Sequence, residues 1–578
     1  MKSSCKRTLP ILSREREQAV SGVFQQALSA LLCALLAAPL ASTAQQANPP
    51  KQQVEKTTTP APETNPPRRE QVPQEPSQNA PEQERAPRAN PSGDEERTPE
   101  LHFDMTEVPP AVTHHQISVQ GKLLHYTATA GRLPIKDATG KTEALMFYAA
   151  YTLDSADTAH RPLTFAFNGG PGSASIWLHM GALGPRKVVL RKEGFMPAAP
   201  YRLEDNANTL LDKSDLVLVD AIGTGFSRPA NTATLKKFWG MKGDIEAFGE
   251  FIRLYITRNE RWSSPLYLLG ESYGTTRSAG VSGYLADKGI SFNGIVLLST
   301  VLAFETLEFN RTNDVPYPLI LPSYTMIAAF HHKLSPELSQ NLEKTRSEVE
   351  HWALNDYTRA LAKGDALTSD ERQAIIDTLS RYTGLTKEII DQYNMRVDVQ
   401  GFTHYLLADQ KLRVGRLDGR FTGPDPEGFT ETRFYDPTSS ETGPPFTSVF
   451  NEYVRHELNY KTDMPYYTTA YQTWGPSMKW DWGSSGAGFP DTATALREAI
   501  VKNPYLKVRV LEGYYDLATP YYAATYTMDH LDLSPRYRSN ISYATFDSGH
   551  MVYLDSDSLK KMKDDVASFI DQTLPAAQ

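Results

Sequence analysis

Leu266-Tyr267-Leu268-Leu269-Gly270-Glu271-Ser272-Tyr273-Gly274-Thr275-Thr276-Arg277 is the stretch whose reading decides the fold. A short apolar run stops at Gly270, a serine follows two residues later, and a second glycine stands two residues beyond that. Gly-x-Ser-x-Gly between a strand-like run and a helix-compatible one is the setting of a nucleophile elbow. Crowding explains the glycines. A serine on a tight strand-to-helix turn holds strained backbone angles, and its neighbours two residues away on either side cannot carry bulky Cβ substituents. Such an elbow needs a base, an acid and oxyanion donors from elsewhere in the chain.

Outward from the elbow, strands and helices alternate. Leu163–Phe167, Leu216–Val219, Leu266–Leu269, Ile295–Ser299, Val508–Glu512 and Ser542–Phe546 read as strands. A helix is predicted from about Asp244, with Asp244 as its N-cap and Ile245, Phe248, Ile252, Tyr255 and Ile256 on one face. Others are predicted from the elbow through about Asp287 and from about Ser556 to Ile570. This alternation predicts an α/β fold with a mostly parallel sheet. Three earlier runs, Gln116–Val119, Leu123–Ala130 and Ala144–Leu153, are parted by turn residues and predict antiparallel hairpins at a sheet edge. Between about 301 and 500 the rhythm changes to helical patterning (Ser335–Trp352, Ser369–Tyr382, Lys387–Tyr393) with Gly/Pro loops such as Thr422–Pro426. That stretch reads as a largely helical cap inserted into the sheet domain.

The N-terminal hundred residues read differently. Residues 1–44 have a basic opening, an apolar core over Ala27–Leu40 and small residues at Ser42-Thr43-Ala44, the pattern of a secretory signal; an uncleaved anchor is the alternative. Twelve of the 40 prolines fall between Gln45 and Glu100, with no aromatic residue, so residues 45–105 are expected to be a disordered spacer. Residues 106–578 are left as the catalytic domain. The expected location is outside the cytoplasm, periplasmic or secreted, without stable membrane insertion after signal cleavage. Both cysteines, Cys5 and Cys33, lie in the leader, which excludes thiol nucleophiles, zinc-thiolate sites and disulfides from the mature chain. A net charge of −9, about −12 without the leader, argues against nucleic acid as partner.

In this architecture the acid and base should follow the nucleophile in the order Ser, Asp, His, each on a loop after a strand. Asp516 follows the run ending near Glu512, and His550 follows the run ending at Phe546, both among glycines and prolines. Of 13 histidines only His550 meets order, strand end and glycine context. His550 is expected to take the Ser272 proton, and Asp516 to fix the imidazole tautomer. The Tyr273 N–H is one expected oxyanion donor, and the glycine-rich loop Asn168-Gly169-Gly170-Pro171-Gly172 should supply the other.

These segments carry a resemblance. Phe-Asn-Gly-Gly-Pro-Gly-Ser-Ala-Ser at 167–175, Gly-Thr-Gly-Phe-Ser at 223–227, Gly-Glu-Ser-Tyr at 270–273, Asp516 and Ser-Gly-His-Met-Val at 548–552 resemble the serine carboxypeptidases. The resemblance implies an α/β-hydrolase fold and acyl transfer through Ser272, with oxyanion donors at Gly170 and Tyr273. It also implies that Asn168, the Gly169 backbone and Glu271 bind the free C-terminal carboxylate of a peptide. A protonated Glu271 would make that contact, which favours acidic pH. Three departures stand out. Ala182 replaces a second glutamate usual before Leu-Gly-Pro, Ser173 replaces a usual cysteine, and Gly274-Thr275-Thr276-Arg277 replaces the usual run after the elbow. Arg186 and Arg277, near the two loops in sequence, are candidates to bind the carboxylate in place of the missing acid.

Trp474, Trp480 and Trp482 with Tyr466, Tyr467 and Tyr471 predict a packed aromatic cluster; lining an apolar substrate pocket is the alternative. Asp418, Asp425 and Asp436 lack calcium-loop spacing, and His114-His115 has no third ligand nearby, so no metal and no cofactor is expected. The expected activity is exported serine carboxypeptidase-like hydrolysis at peptide C-termini. A carboxylesterase or acyltransferase using the same triad is the second reading, and a catalytically idle binding protein the third.

Overall fold

The computed structural model describes residues 102–574 apart from 427, 431–434, 471–473, 475–477 and 484–487. The expected leader, the spacer up to residue 101, and Tyr471 lie outside the described residues. Nine strands build one sheet: β1 (Ala111–Val119), β2 (Lys122–Lys136), β3 (Thr142–Leu153), β4 (Leu163–Phe167), β5 (Asp215–Val219), β6 (Leu266–Glu271), β7 (Gly294–Leu298), β8 (Lys507–Gly513) and β9 (Ile541–Phe546). They lie in the order β1-β2-β3-β5-β4-β6-β7-β8-β9, and Arg228–Pro229 adds a short piece beside β3. β1, β2 and β3 form an antiparallel meander, β3 pairs antiparallel with β5, and the remaining pairs are parallel.

Every residue of β4, β5, β6 and β7 is buried, the pattern of parallel strands covered on both faces. Alternate side chains serve two cores. Leu266 and Leu268 pack with α1 (Met241–Arg258) and with Leu496 and Ile500, while Tyr267 and Leu269 join the core of the C-terminal helix Ser556–Thr573 on the other face. α2 (Tyr273–Ala286) leaves the elbow and is buried along most of its length. No described helix is long and apolar enough to cross a membrane.

Asp244 is not the cap of α1. That helix starts at Met241 after Gly240, and the buried Asp244 carboxylate turns to Arg277 of α2 at 2.7 and 3.1 Å. A guanidinium with no exposure to water needs its counter-charge more than a helix end needs a cap. Arg277 also donates to the Asn168 carbonyl at 2.6 Å and lies 4.2 Å from the Phe248 ring, so one side chain ties α1, α2 and the loop after β4 together.

Among the described residues, no strand of this sheet falls between Leu298 and Lys507. The helices there include two that proline hid from the sequence reading, α3 (Pro316–Phe330) and α4 (Pro437–His456). Pro316 and Pro437 sit at helix starts, where the missing N–H has no partner to lose. α3 carries its own apolar core, with Tyr324 stacked on Phe402 at 3.9 Å between ring centres.

Arg277→Met should destabilise the protein by about 3–5 kcal/mol in denaturant unfolding, because it strands the Asp244 charge. Arg277→Met with Asp244→Leu should lose clearly less. Equal losses for single and double variants would contradict the ion-pair account.

Candidate active site

Register brings the chemistry to one edge. Phe167 pairs with Gly270, Glu271 with Leu298, Leu298 with Leu511 and Gly513 with Phe546, so the loops after β4, β6, β7, β8 and β9 all leave at the carboxyl edge of the sheet. Ser272 stands on the turn out of β6 with φ 61° and ψ −132°. A serine held there costs about 1–3 kcal/mol. Its N–H donates to Leu298 O at 2.9 Å, while its carbonyl accepts from the Thr275 N–H at 2.8 Å and hydroxyl at 2.7 Å. Those bonds hold the turn. A Cβ at Gly270 would lie 2.1 Å from the Gly274 oxygen, and one at Gly274 would lie 2.7 Å from the Phe167 oxygen.

Asp516 and His550 meet behind the serine. His550 Nδ1 lies 2.7 Å from Asp516 Oδ2. The buried carboxylate also accepts from the Ala518 N–H at 2.7 Å, the Thr519 N–H at 3.0 Å and the Thr519 hydroxyl at 2.7 Å. An acceptor at Nδ1 keeps the proton there and leaves Nε2 with its lone pair. Burial alone pulls the His550 pKa down, but the Asp516 charge and hydrogen bond, with the Glu271 charge, outweigh it and leave the imidazole more basic than usual. The His550 backbone is clamped as well, its N–H to Leu417 O at 2.6 Å and its carbonyl by the Ser299 hydroxyl at 2.6 Å.

A cavity of about 350 Å³ opens over these groups, and Asn168, Gly169, Gly170, Glu271, Ser272 and His550 all line it. Gly169 lies against the elbow so closely that a Cβ there would be 2.4 Å from the Tyr273 nitrogen. Gly170 takes φ +105°. Among the described residues, neither the Gly170 nor the Tyr273 N–H donates to a backbone oxygen, and Gly170 lines the cavity. Asn168 Oδ1 accepts the Leu178 N–H at 2.9 Å, which fixes the amide and leaves Nδ2 facing the Glu271 carboxyl. Glu271 is buried and its Oε2 has no hydrogen-bond partner. Burial pushes its pKa up to about 7. The Tyr553 hydroxyl stands beside that carboxyl without closing a hydrogen bond.

Neither arginine proposed from sequence reaches the cavity. Arg277 is fully buried in its pair with Asp244, and Arg186 is spent on Asp205 at 2.5 Å and Glu457 at 3.1 Å. Proximity in sequence to the loops did not survive the pull of nearer carboxylates. The tryptophans pack beneath the elbow. Trp480 and Trp482 meet the Tyr273 ring at 5.4 and 5.9 Å, and neither lines the cavity. Asp418 pairs with Arg420 and accepts the Gly549 N–H, and Asp436 caps α4. Two further residues lie beside these groups. Thr519, three residues after Asp516, was visible as a local hydrogen-bond pattern, whereas Arg416 in the cavity wall carried no local signal.

The sequence profile of the serine carboxypeptidases matches residues 122–551. The chain belongs to that family. It is a serine-type hydrolase with an α/β-hydrolase fold. Among solved structures, this serine carboxypeptidase is similar to a prohormone-processing carboxypeptidase from Saccharomyces cerevisiae, with 16% identity over 77% of this chain and 91% of that one and a TM-score of 0.47. It is also similar to a thermophilic esterase from Thermogutta terrifontis (12% identity, 77% and 100% covered, TM-score 0.32). A thermostable carboxyl esterase from Bacillus coagulans gives 12% identity, 77% and 99% coverage and a TM-score of 0.33. No curated protein matches the chain.

Asp516→Asn should lower kcat about 10³–10⁴-fold by turning the imidazole to the wrong tautomer, while Thr519→Val, which removes one of four donors, should cost far less. Similar losses in the two variants would contradict the roles drawn from these hydrogen bonds.

Proposed function

We propose that the protein is an exported serine carboxypeptidase that removes the C-terminal residue of peptides through an acyl-enzyme on Ser272. The observation that carries this reading is Glu271, a buried carboxyl with an unpartnered oxygen in the wall of the cavity that holds Ser272. His550 Nε2 takes the Ser272 proton as Oγ attacks the carbonyl carbon of the last peptide bond. The tetrahedral oxyanion is held by the Gly170 and Tyr273 N–H groups. The C–N bond then breaks, and His550 returns its proton to the nitrogen of the departing amino acid. Water, deprotonated by His550, attacks the acyl-serine, and the shortened peptide leaves with a new carboxyl terminus. Asn168 Nδ2, the Gly169 backbone and protonated Glu271 meet the terminal carboxylate of the substrate. Export rests on the signal-like pattern of residues 1–44.

Ala182 favours a second reading. With one acid instead of two beside the expected carboxylate position, the same triad suits an esterase or an acyltransferase.

The pH dependence separates the two. Glu271 is raised to about 7, so below that pH it is protonated and donates, and above it the charged form repels the substrate carboxylate. His550, whose pKa is raised, must lose its proton to act as base, so turnover of a substrate lacking a carboxylate should climb with pH. Blocked dipeptides with free and amidated C-termini, followed from pH 5 to 9, test this directly. The free acid should be preferred about 10-fold or more in kcat/KM at pH 6, with KM rising above pH 7. Equal rates on both substrates across the range would reject C-terminal specificity and leave the esterase reading.

A further inference from the structure

Arg416 stands in the wall of the reaction cavity with Glu271, Ser272 and His550. Among the described residues its guanidinium makes no ion pair and no hydrogen bond, although it is partly buried. The neighbouring arginines differ in this. Arg277 is paired with Asp244, Arg186 with Asp205 and Glu457, and Arg420 with Asp418. A half-buried arginine without a counter-charge retains the full demand of five donors for an acceptor.

The position of Arg416 is fixed by the reaction centre itself. Its carbonyl accepts the Leu517 N–H at 3.0 Å, next to Asp516, and the following carbonyl, Leu417 O, accepts the His550 N–H at 2.6 Å. The Leu417 N–H donates to Asp436 Oδ2 at 3.0 Å. Backbone bonds thus tie this residue to the loops that carry the acid and the base. Other groups facing the same space are mostly neutral and polar: Ser439, Thr442, Thr468 and Thr469. The charged or titratable groups near Arg416 are His550, Glu271 and Asp436. Asp436 lies within electrostatic reach, but both its oxygens are engaged by backbone N–H groups, Leu417 on one and Thr438 on the other.

We propose that Arg416 is a specificity-determining residue that binds a carboxylate on the departing amino acid, supplying the cation that compensates for Ala182. The inference rests on the peptidase reading above. A guanidinium presents parallel donors that match both carboxylate oxygens, and it stays charged at every pH at which the enzyme works. It therefore adds a pH-independent anchor to the one supplied by Glu271. The carboxylate has two sources, the chain terminus or an Asp or Glu side chain of the last residue.

Three substrates distinguish them: blocked Phe-Leu with a free terminus, its amide, and blocked Phe-Glu amide. In the full-length enzyme, Arg416→Gln should raise KM about 10–100-fold for a carboxylate-bearing substrate while kcat changes by less than about threefold. Arg416→Lys should recover part of the loss. KM for the neutral Phe-Leu amide should move least. A loss on the free acid assigns the terminal carboxylate, a loss on Phe-Glu amide the side chain, and either supports the proposal. If KM for both carboxylate substrates stays put, or rises in step with the neutral amide as a general loss of structure would produce, the Arg416 role is wrong and the peptidase reading stands. If the wild-type enzyme treats free acid and amide alike throughout, the peptidase reading fails and this inference with it.

Discussion

A carbonyl oxygen occupies the space where residue 270 would carry a Cβ. The Gly274 oxygen would lie 2.1 Å from it, a distance no side chain tolerates. The close approach lets β6 turn into α2 within one residue, and Ser272 takes the left-handed backbone conformation that this turn demands. The same tight packing brings Gly169 against the Tyr273 nitrogen, so the loop after β4, which lines the cavity, is seated directly on the start of α2. The hydrogen bonds of Thr275 and Leu298 offset the strain, and the parallel sheet sets the height at which each loop emerges. Ser272 and the Gly169–Gly170 loop therefore owe their placement to one geometric cause.

Charge is handled by a second layer beneath and beside the elbow. Arg277 and Asp244, both buried, neutralise each other under the Asn168 loop. Asp516 meets four donors, and His550 inherits its orientation from that carboxylate. Glu271 is different, since burial raises its pKa to about 7 and one of its oxygens has no partner. A protein that leaves a buried carboxyl unsatisfied in a cavity wall has left room for something to bind it. Arg416 leaves the opposite charge unsatisfied in the same wall.

The sheet was legible because its strands are nearly continuous apolar runs, and alternation with helices predicts parallel pairing. Ser272, Asp516 and His550 stand out in the sequence because each sits at a strand end among glycines, and the structure brings His550 to Asp516 and into one cavity with Ser272. The cap was read less well. α3 and α4 contain prolines that normally argue against helix, yet those at the starts cost nothing there, and tertiary packing carries the rest. Arg186 and Arg277 were misplaced for a different reason, because the nearest carboxylate in space, not in sequence, decides where an arginine points. Arg416 shows the converse. Its place in the cavity wall is set by backbone bonds, its own to Leu517 101 positions away and that of Leu417 to His550 133 positions away, and no local pattern reports them.

The account stands or falls on Ser272 as a nucleophile activated by His550. The most direct measurement is covalent labelling by a fluorophosphonate, with the modified residue located by peptide mass spectrometry and the labelling rate compared in His550→Ala. The account predicts one label per chain, on Ser272, formed at least about 100-fold more slowly in the variant. A label on another residue, no label, or an undiminished rate in His550→Ala would contradict it.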